Sequence, residues 1–367
     1  MDTPWCEPEM KREGDDFIFL WKPLRIGIVL TGVREDKDGR VAAEITVMSI
    51  RSDGQRTGLL EWGSLNLSSL SAREGLERVL RRRTESEPQI NWDKALRWVC
   101  AHCALAYRAP SPVVDLRTVP VTRGGQRFLF DRIWPLGDVG TIYGDGSSGK
   151  SLTAMLMALS YALGEHIAGV IRPLVAGVPL YLDWEATEDE HAKRLDALSR
   201  GLGLREPPFV AYRFMQRTLA DDAARVRKDV DDNAAGLVIV DSMGLACGNV
   251  VDQEAVMRFY AALRSLPQSV TKVIVTHVSA DGARQERGAA SPVGLRWVNN
   301  YGRSNWELRA DRDDRSGCLD VAMHHRKANG FSLQPPVGLR YSFDPADGAI
   351  GVERFDVLSN AVLIAHG

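Results

Sequence analysis

Eight consecutive residues, Gly144-Asp145-Gly146-Ser147-Ser148-Gly149-Lys150-Ser151, fit the P-loop pattern G-x-x-x-x-G-K-[ST] without a substitution. The chemistry open to such a loop is phosphate binding. Its glycines let backbone N–H groups converge on phosphate oxygens, and the helix that starts inside it adds its positive end. Lys150 would reach the β- and γ-phosphates, and the Ser151 hydroxyl would hold Mg²⁺. Downstream, Leu237-Val238-Ile239-Val240 runs into Asp241-Ser242. Four apolar residues and then an Asp is what a Walker B strand requires, and Asp241 is expected to hold Mg²⁺, through water. Hydrolysis needs a base, or a residue that orients the attacking water. Glu185 is the candidate, with Asp183 and Glu188 as rivals. His277 could sense a γ-phosphate by hydrogen bonding. The bland alternatives are a strand-end cap for Asp241, a helix-start carboxylate for Glu185 and a satisfied strand-end histidine for His277.

These residues need elements to hold them. Val139 to Tyr143 reads as a buried strand entering the loop, and Leu152, Met155, Leu156, Leu159 and Leu163 share one face of a helix leaving it. Val178 to Glu185 reads as a strand ending in acid. Thr187-x-x-Glu190 is a capping box that opens the next helix, and Gly201 and Gly203 close it. Phe209 to Phe214 is a further strand and Leu219 to Asp232 a helix; another helix starts at Asp252, and Lys272 to His277 is a buried strand. Alternation of strands and helices argues for a parallel sheet with helices on both faces, which binds ligands at the carboxyl ends of its strands. Gly144, Glu185, Asp241 and His277 all fall at such ends.

The chain has 367 residues, a length that suits two domains. Hydrophobic residues make up 44% and charged residues 26%, which is ordinary for a soluble globular protein. A net charge of −2 means that any nucleic-acid contact must come from local basic patches. Five cysteines, an N-terminus without a basic-then-apolar signal, and no apolar run of about 18 residues point to a cytoplasmic protein without a membrane span.

Residues 1–118 are expected to be a small α+β domain and 119–367 the nucleotide-binding domain. Alternating runs on either side of Asp38-Gly39 predict a hairpin over residues 17 to 50, and Leu59 to Trp62 suggests another strand. Ser71-x-x-Glu74 reads as the capping box of a helix that ends in Arg78, Arg81, Arg82 and Arg83. Those arginines suit either phosphate contact or a solvated helix end that offsets the dipole. A second helix, Asn91 to Arg108, carries Cys100-Ala101-His102-Cys103. One C-x-x-C without a second pair is weak ground for zinc, and both thiols look like core residues. Pro110, Pro112, Pro120 and Gly124-Gly125 mark the linker.

Taken together, the motifs resemble the RecA-type P-loop ATPases, and within them the RepA-like hexameric helicases and related ATPases of plasmids and phages. The resemblance covers about residues 120 to 345. It rests on the P-loop, on Leu182-Asp183-Trp184-Glu185 with Arg194-Leu195, on Val240-Asp241-Ser242 and on Thr276-His277-Val278. It rests also on Pro292 to Leu308, which is similar to a family segment P-φ-G-S…N-x-x-R-S-x-W-E-φ, where φ is apolar. The resemblance implies ATP with Mg²⁺, Glu185 as catalytic glutamate, His277 as sensor, and Arg303 as a residue acting at the ATP of a neighbouring subunit. It thereby implies a homo-oligomeric ring, a hexamer by analogy, in DNA replication. Leu295 stands where the family has Ser, and no Lys follows His277 within three residues.

Ser279 to Arg296, with Arg284, Arg287 and Arg296, would be the channel-facing loop that meets single-stranded DNA through its backbone phosphates. Antiparallel strands are expected at Ser304–Ala310, Cys318–His324, Leu339–Phe343 and Ile350–Phe355, with Asp311 to Arg315 as the first turn. His324-His325-Arg326-Lys327 would lie at a strand end, Lys327 being a further candidate cation acting in trans. Two other functional classes remain compatible with these residues. One is an ATP-controlled recombination or repair mediator that does not unwind; the other is a regulatory or defence ATPase that does not touch DNA.

Overall fold

The structure, a computed structural model, describes residues 6–13, 16–36, 38–51, 53–84, 90–109, 114–120, 126–277, 300–313 and 315–364. The expected DNA-facing loop, Ser279 to Arg296, lies outside them. The chain divides into two compact units, Met1–Thr122 and Arg123–Gly367.

In the first unit five strands form an antiparallel meander: β1 (Glu9–Glu13), β2 (Asp16–Trp21), β3 (Ile26–Glu35), β4 (Val41–Ile50) and β5 (Arg56–Asn66). The period-two pattern buries Phe17, Phe19 and Trp21 on one face of β2, together with Ile26, Ile28 and Leu30 of β3. Helices α1 (Leu70–Arg83) and α2 (Trp92–Arg108) supply Leu80, Leu96, Val99, Cys100 and Cys103 to that core. The cap of α1 is Ser69, whose hydroxyl accepts from the Ala72 N–H at 3.3 Å. The helix thus starts before Ser71, since Ser69 offers the same hydroxyl a few residues earlier. Burial pushes the Cys100 thiol up to about 11 and that of Cys103 to about 12, so both act as small core residues. Arg81 pairs with Glu77 at 2.7 Å and Arg83 with Glu61 at 3.3 Å. These contacts are those of a solvated helix end.

The second unit opens with the short pair β6 (Phe128–Phe130) and β7 (Trp134–Pro135). Then follow β8 (Val139–Gly144), α3 (Lys150–Leu163), β9 (Val178–Asp183), α4 (Glu188–Gly201), β10 (Ala211–Phe214), α5 (Ala223–Asp232) and β11 (Ala235–Asp241). The chain continues through α6 (Met243–Cys247), α7 (Gln253–Ser265) and β12 (Thr271–His277). After the undescribed segment come β13 (Ser304–Asp313), β14 (Cys318–Ala328), β15 (Val337–Phe343) and β16 (Ile350–Phe355). Among the described residues these strands form one sheet in the order β10-β9-β11-β12-β8-β13-β14-β15-β16. Pairing is parallel from β10 through β13 and antiparallel from β13 onward.

Alternation along the central strands sorts side chains to two cores. Tyr181, Leu237 and Ile239 face the cluster containing α3 and part of α4. Leu180, Leu182, Val238 and Val240 face the cluster containing α5, α6 and α7. Helices therefore cover both faces of the parallel part, as expected for an α/β sheet of this kind.

Two expectations for the tail are corrected. Asp311 and Arg312 belong to β13, which runs on to Asp313 in register with Cys318. His324 and His325 lie within β14 and are buried. His324 Nε2 meets the Leu363 carbonyl at 2.9 Å. His325 stacks on Trp306 with ring centres 4.3 Å apart, and its Nδ1 accepts from the Gln334 N–H at 3.0 Å. The ladder between β13 and β14 runs from Ser304–Ala328 to Asp313–Cys318, and this pairing carries both strands through residues whose polarity suggests an end.

Candidate active site

Strand β8 is buried through Gly144 and delivers the loop to the edge of the sheet. Gly149, at φ 77°, caps α3 in the left-handed region, which a glycine occupies without strain. Ser147 takes φ 61°, a strained conformation for a residue with a Cβ and one that tends to accompany function. The Lys150 ammonium is buried and donates to the carbonyls of Gly144 at 3.1 Å and Asp145 at 2.6 Å. Burial lowers its pKa; the nearby carboxylates of Asp241, Asp145 and Glu185 oppose that shift.

Strand register brings the other groups to the same edge. His277 pairs with Gly144 across β12 and β8, while Asp241 pairs with Val275 on one side and Asp183 on the other. Neighbouring strands lie about 4.8 Å apart, so residues distant in sequence share one ledge. Asp241 is buried, accepts a hydrogen bond from the Tyr181 hydroxyl at 2.6 Å and is also hydrogen-bonded to Ser151. Burial raises its pKa, with both hydrogen bonds opposing. Its neighbour Ser242 donates to the Glu185 carboxylate. Glu185 lies half-exposed, with Oε1 3.9 Å from His277 Nε2.

The two rivals of Glu185 are otherwise engaged. Asp183 accepts from the N–H groups of Glu185 and Ala186 and from the Tyr212 hydroxyl at 3.0 Å, and lies 3.3 Å from His191 Nε2. Burial would raise its pKa, but the contact with His191 and the hydrogen bonds from the Glu185 N–H and the Tyr212 hydroxyl outweigh it, leaving the carboxyl below its ordinary value. Glu188 is exposed in the first turn of α4, where it suits the helix dipole.

Ser151 and Asp241 are hard oxygen donors already within hydrogen-bond reach of each other, which suits Mg²⁺. Among the described residues no cluster of three or more His, Cys, Asp or Glu side chains could hold a metal ion. An ion held by Ser151 and Asp241 would have its other positions open to phosphate oxygens and water.

These groups line a cleft of about 650 Å³, within the usual range for small-molecule sites. Arg312, Leu319, Phe343, Gly348 and Ile350 line the same cleft. The sequence pattern puts Arg312 in the first turn of the tail and gives these residues no ligand role. The usable signal was the period of two: Trp306, Leu308 and Ala310 pack towards the α3 core, and Arg312 is the next position on that face.

Arg303 is exposed at the opposite edge of the sheet. Its N–H donates to the Val139 carbonyl at 2.7 Å, at the start of β8, whereas the loop leaves the end of that strand. The length of β8 separates them, about 17 Å. Lys327 lies beside Arg303; burial and then the Arg303 charge lower its pKa. Lys150, Ser151, Glu185, Asp241 and His277 thus converge, and Arg303 is not part of the same-chain site.

A P-loop between a buried strand and a helix, an Asp on the strand two places away and helices on both sheet faces define a RecA-like P-loop ATPase core. Residues 108–283 match the family model described as AAA domain. No curated protein matches the chain. Among solved structures, a KaiC-like protein from the hyperthermophilic archaeon Pyrococcus horikoshii OT3 is similar at 12% identity and TM-score 0.42, over 65% of this chain and 100% of that one. Among the described residues no helix is long and apolar enough to cross a membrane.

Proposed function

We propose that the chain is the subunit of an oligomeric RecA-type motor that hydrolyses ATP with Mg²⁺ and couples hydrolysis to translocation on, or unwinding of, DNA during replication. The observation that carries the hydrolytic half is the convergence of Lys150, Ser151, Glu185, Asp241 and His277 on one ledge. In this reading the backbone of residues 144–151 and Lys150 bind the phosphates, and Ser151 and Asp241 hold the metal. Glu185 orients the attacking water and takes up its proton, with the Ser242 hydroxyl fixing its carboxylate. His277, at the tip of β12, relays the state of the γ-phosphate to the residues that follow. Bound Mg²⁺ supplies neutralisation of charge on the phosphate oxygens.

The oligomeric half is supported by Arg303. An exposed arginine on the edge opposite its own P-loop suits action at the nucleotide of a neighbouring subunit. The DNA half is supported by the resemblance of the Pro292 to Leu308 segment to RepA-like helicases. The test is ATPase activity of the full chain with and without single-stranded DNA at low salt, alongside mass measurement with a non-hydrolysable ATP analogue. Stimulation by DNA and a nucleotide-dependent ring are expected. Hydrolysis indifferent to DNA sinks the DNA coupling, and a monomer that hydrolyses at full rate sinks the trans site.

A further inference from the structure

Beside the phosphate ledge the cleft has a second wall of different chemistry. Lys150, Ser151 and Asp241 line the cleft together with a recess built from β13–β16 and the last turn of α4; this recess adjoins the P-loop, since Leu319 Cδ2 lies 3.3 Å from where a Cβ on Gly149 would stand. Leu319 and Ile350, both buried, line this recess. Phe343 is half-buried, and the Arg312 guanidinium carbon sits 5.7 Å from the centre of its ring.

The wall of this recess is fastened. Arg200, near the end of α4, donates to the Asp347 carbonyl at 2.8 Å and pairs with its carboxylate at 3.1 Å. That contact ties α4 to the turn between β15 and β16. Gly201 permits the approach, since a Cβ there would stand 1.9 Å from the Ile350 carbonyl oxygen. The recess is therefore a preformed part of the cleft.

An apolar base, an aromatic ring and a guanidinium plane form a surface for a flat, uncharged π-system. Nucleobases stack on such groups, and the attraction tolerates the identity of the base because every base has a π-face. We propose that Phe343 and Arg312 form the nucleobase subsite of this cleft, holding the base of the nucleoside triphosphate whose phosphates lie on the P-loop. The assignment rests on the phosphate-binding reading of residues 144–151.

The test is calorimetric titration of the full chain with ATP and with inorganic tripolyphosphate, both with Mg²⁺. Tripolyphosphate carries the anionic part of the ligand and no base. Phe343→Leu, which keeps an apolar side chain, should weaken ATP binding about tenfold or more and leave tripolyphosphate binding as in the wild type. Phe343→Trp should restore ATP affinity. Unchanged ATP affinity in Phe343→Leu overturns the subsite. So does an equal loss of both ligands that Phe343→Trp fails to rescue, because Phe343 would then act on the shape of the cleft. A wild-type protein that binds neither ligand overturns the phosphate site itself, and the subsite with it.

Discussion

At the scale of single residues, the site depends on how a buried carboxylate is kept usable. Asp241 is nearly inaccessible to solvent, and the Tyr181 hydroxyl at 2.6 Å supports its ionised form against that burial. Replacing Tyr181 by Phe removes the donor and nothing else of its shape. Outer partners of metal ligands commonly govern affinity by about 10–100-fold. The apparent Mg²⁺ affinity, read by titrating Mg²⁺ into the ATPase assay at saturating ATP, should fall in that range; an unchanged titration removes Tyr181 from the site. Glu185→Gln tests another role. It keeps the acceptor for Ser242 but cannot take a proton, so turnover should fall on the order of 10²-fold or more while ATP affinity is retained. Near wild-type turnover in that variant would transfer the role to another group.

At the scale of elements, the antiparallel tail stabilises the sheet through buried polar side chains. His325 is held neutral at the Trp306 face, and burial pushes its pKa down to about 4 from 6.5. The unfolded chain therefore takes up the proton first. Stability that is fully present above about pH 6.5 is lost as the pH falls towards about 4. His325→Gln should flatten this part of the pH dependence of the melting temperature; an identical profile in both proteins shows that the imidazole does not contribute. Gly201 tests packing of α4 on β16. With a Cβ 1.9 Å from a backbone oxygen, Gly201→Ala must shift the helix end, costing about 1–3 kcal/mol in urea unfolding. A neutral result would mean that the α4 terminus moves freely.

At the scale of the assembly, Arg303 and the P-loop occupy opposite edges of one sheet, so a trans contribution has a direct test. Arg303→Ala alone should bind ATP normally and lose about 10³- to 10⁵-fold in turnover. Mixing it with Glu185→Gln should recover part of the activity. An Arg303→Ala subunit keeps Glu185 and can receive Arg303 from a Glu185→Gln neighbour. A mixture as inactive as its components, measured under conditions where the wild type is oligomeric, refutes the shared site.

Much of this was legible in residue order. The P-loop pattern, the apolar run into Asp241 and the position of His277 after a buried strand depend on local spacing, and local spacing sets which strand ends carry which groups. The capping at Thr187 and the buried thiols of Cys100 and Cys103 were readable for the same reason. What residue order leaves open is which strands become neighbours. Only the tertiary structure set β12 between the P-loop strand and the Asp241 strand, surrounded Asp183 with donors, and drew Arg312 and Phe343 into the cleft. Those outcomes come from pairing between segments far apart in sequence, where hydrogen-bond register and core packing decide and local propensity has no say.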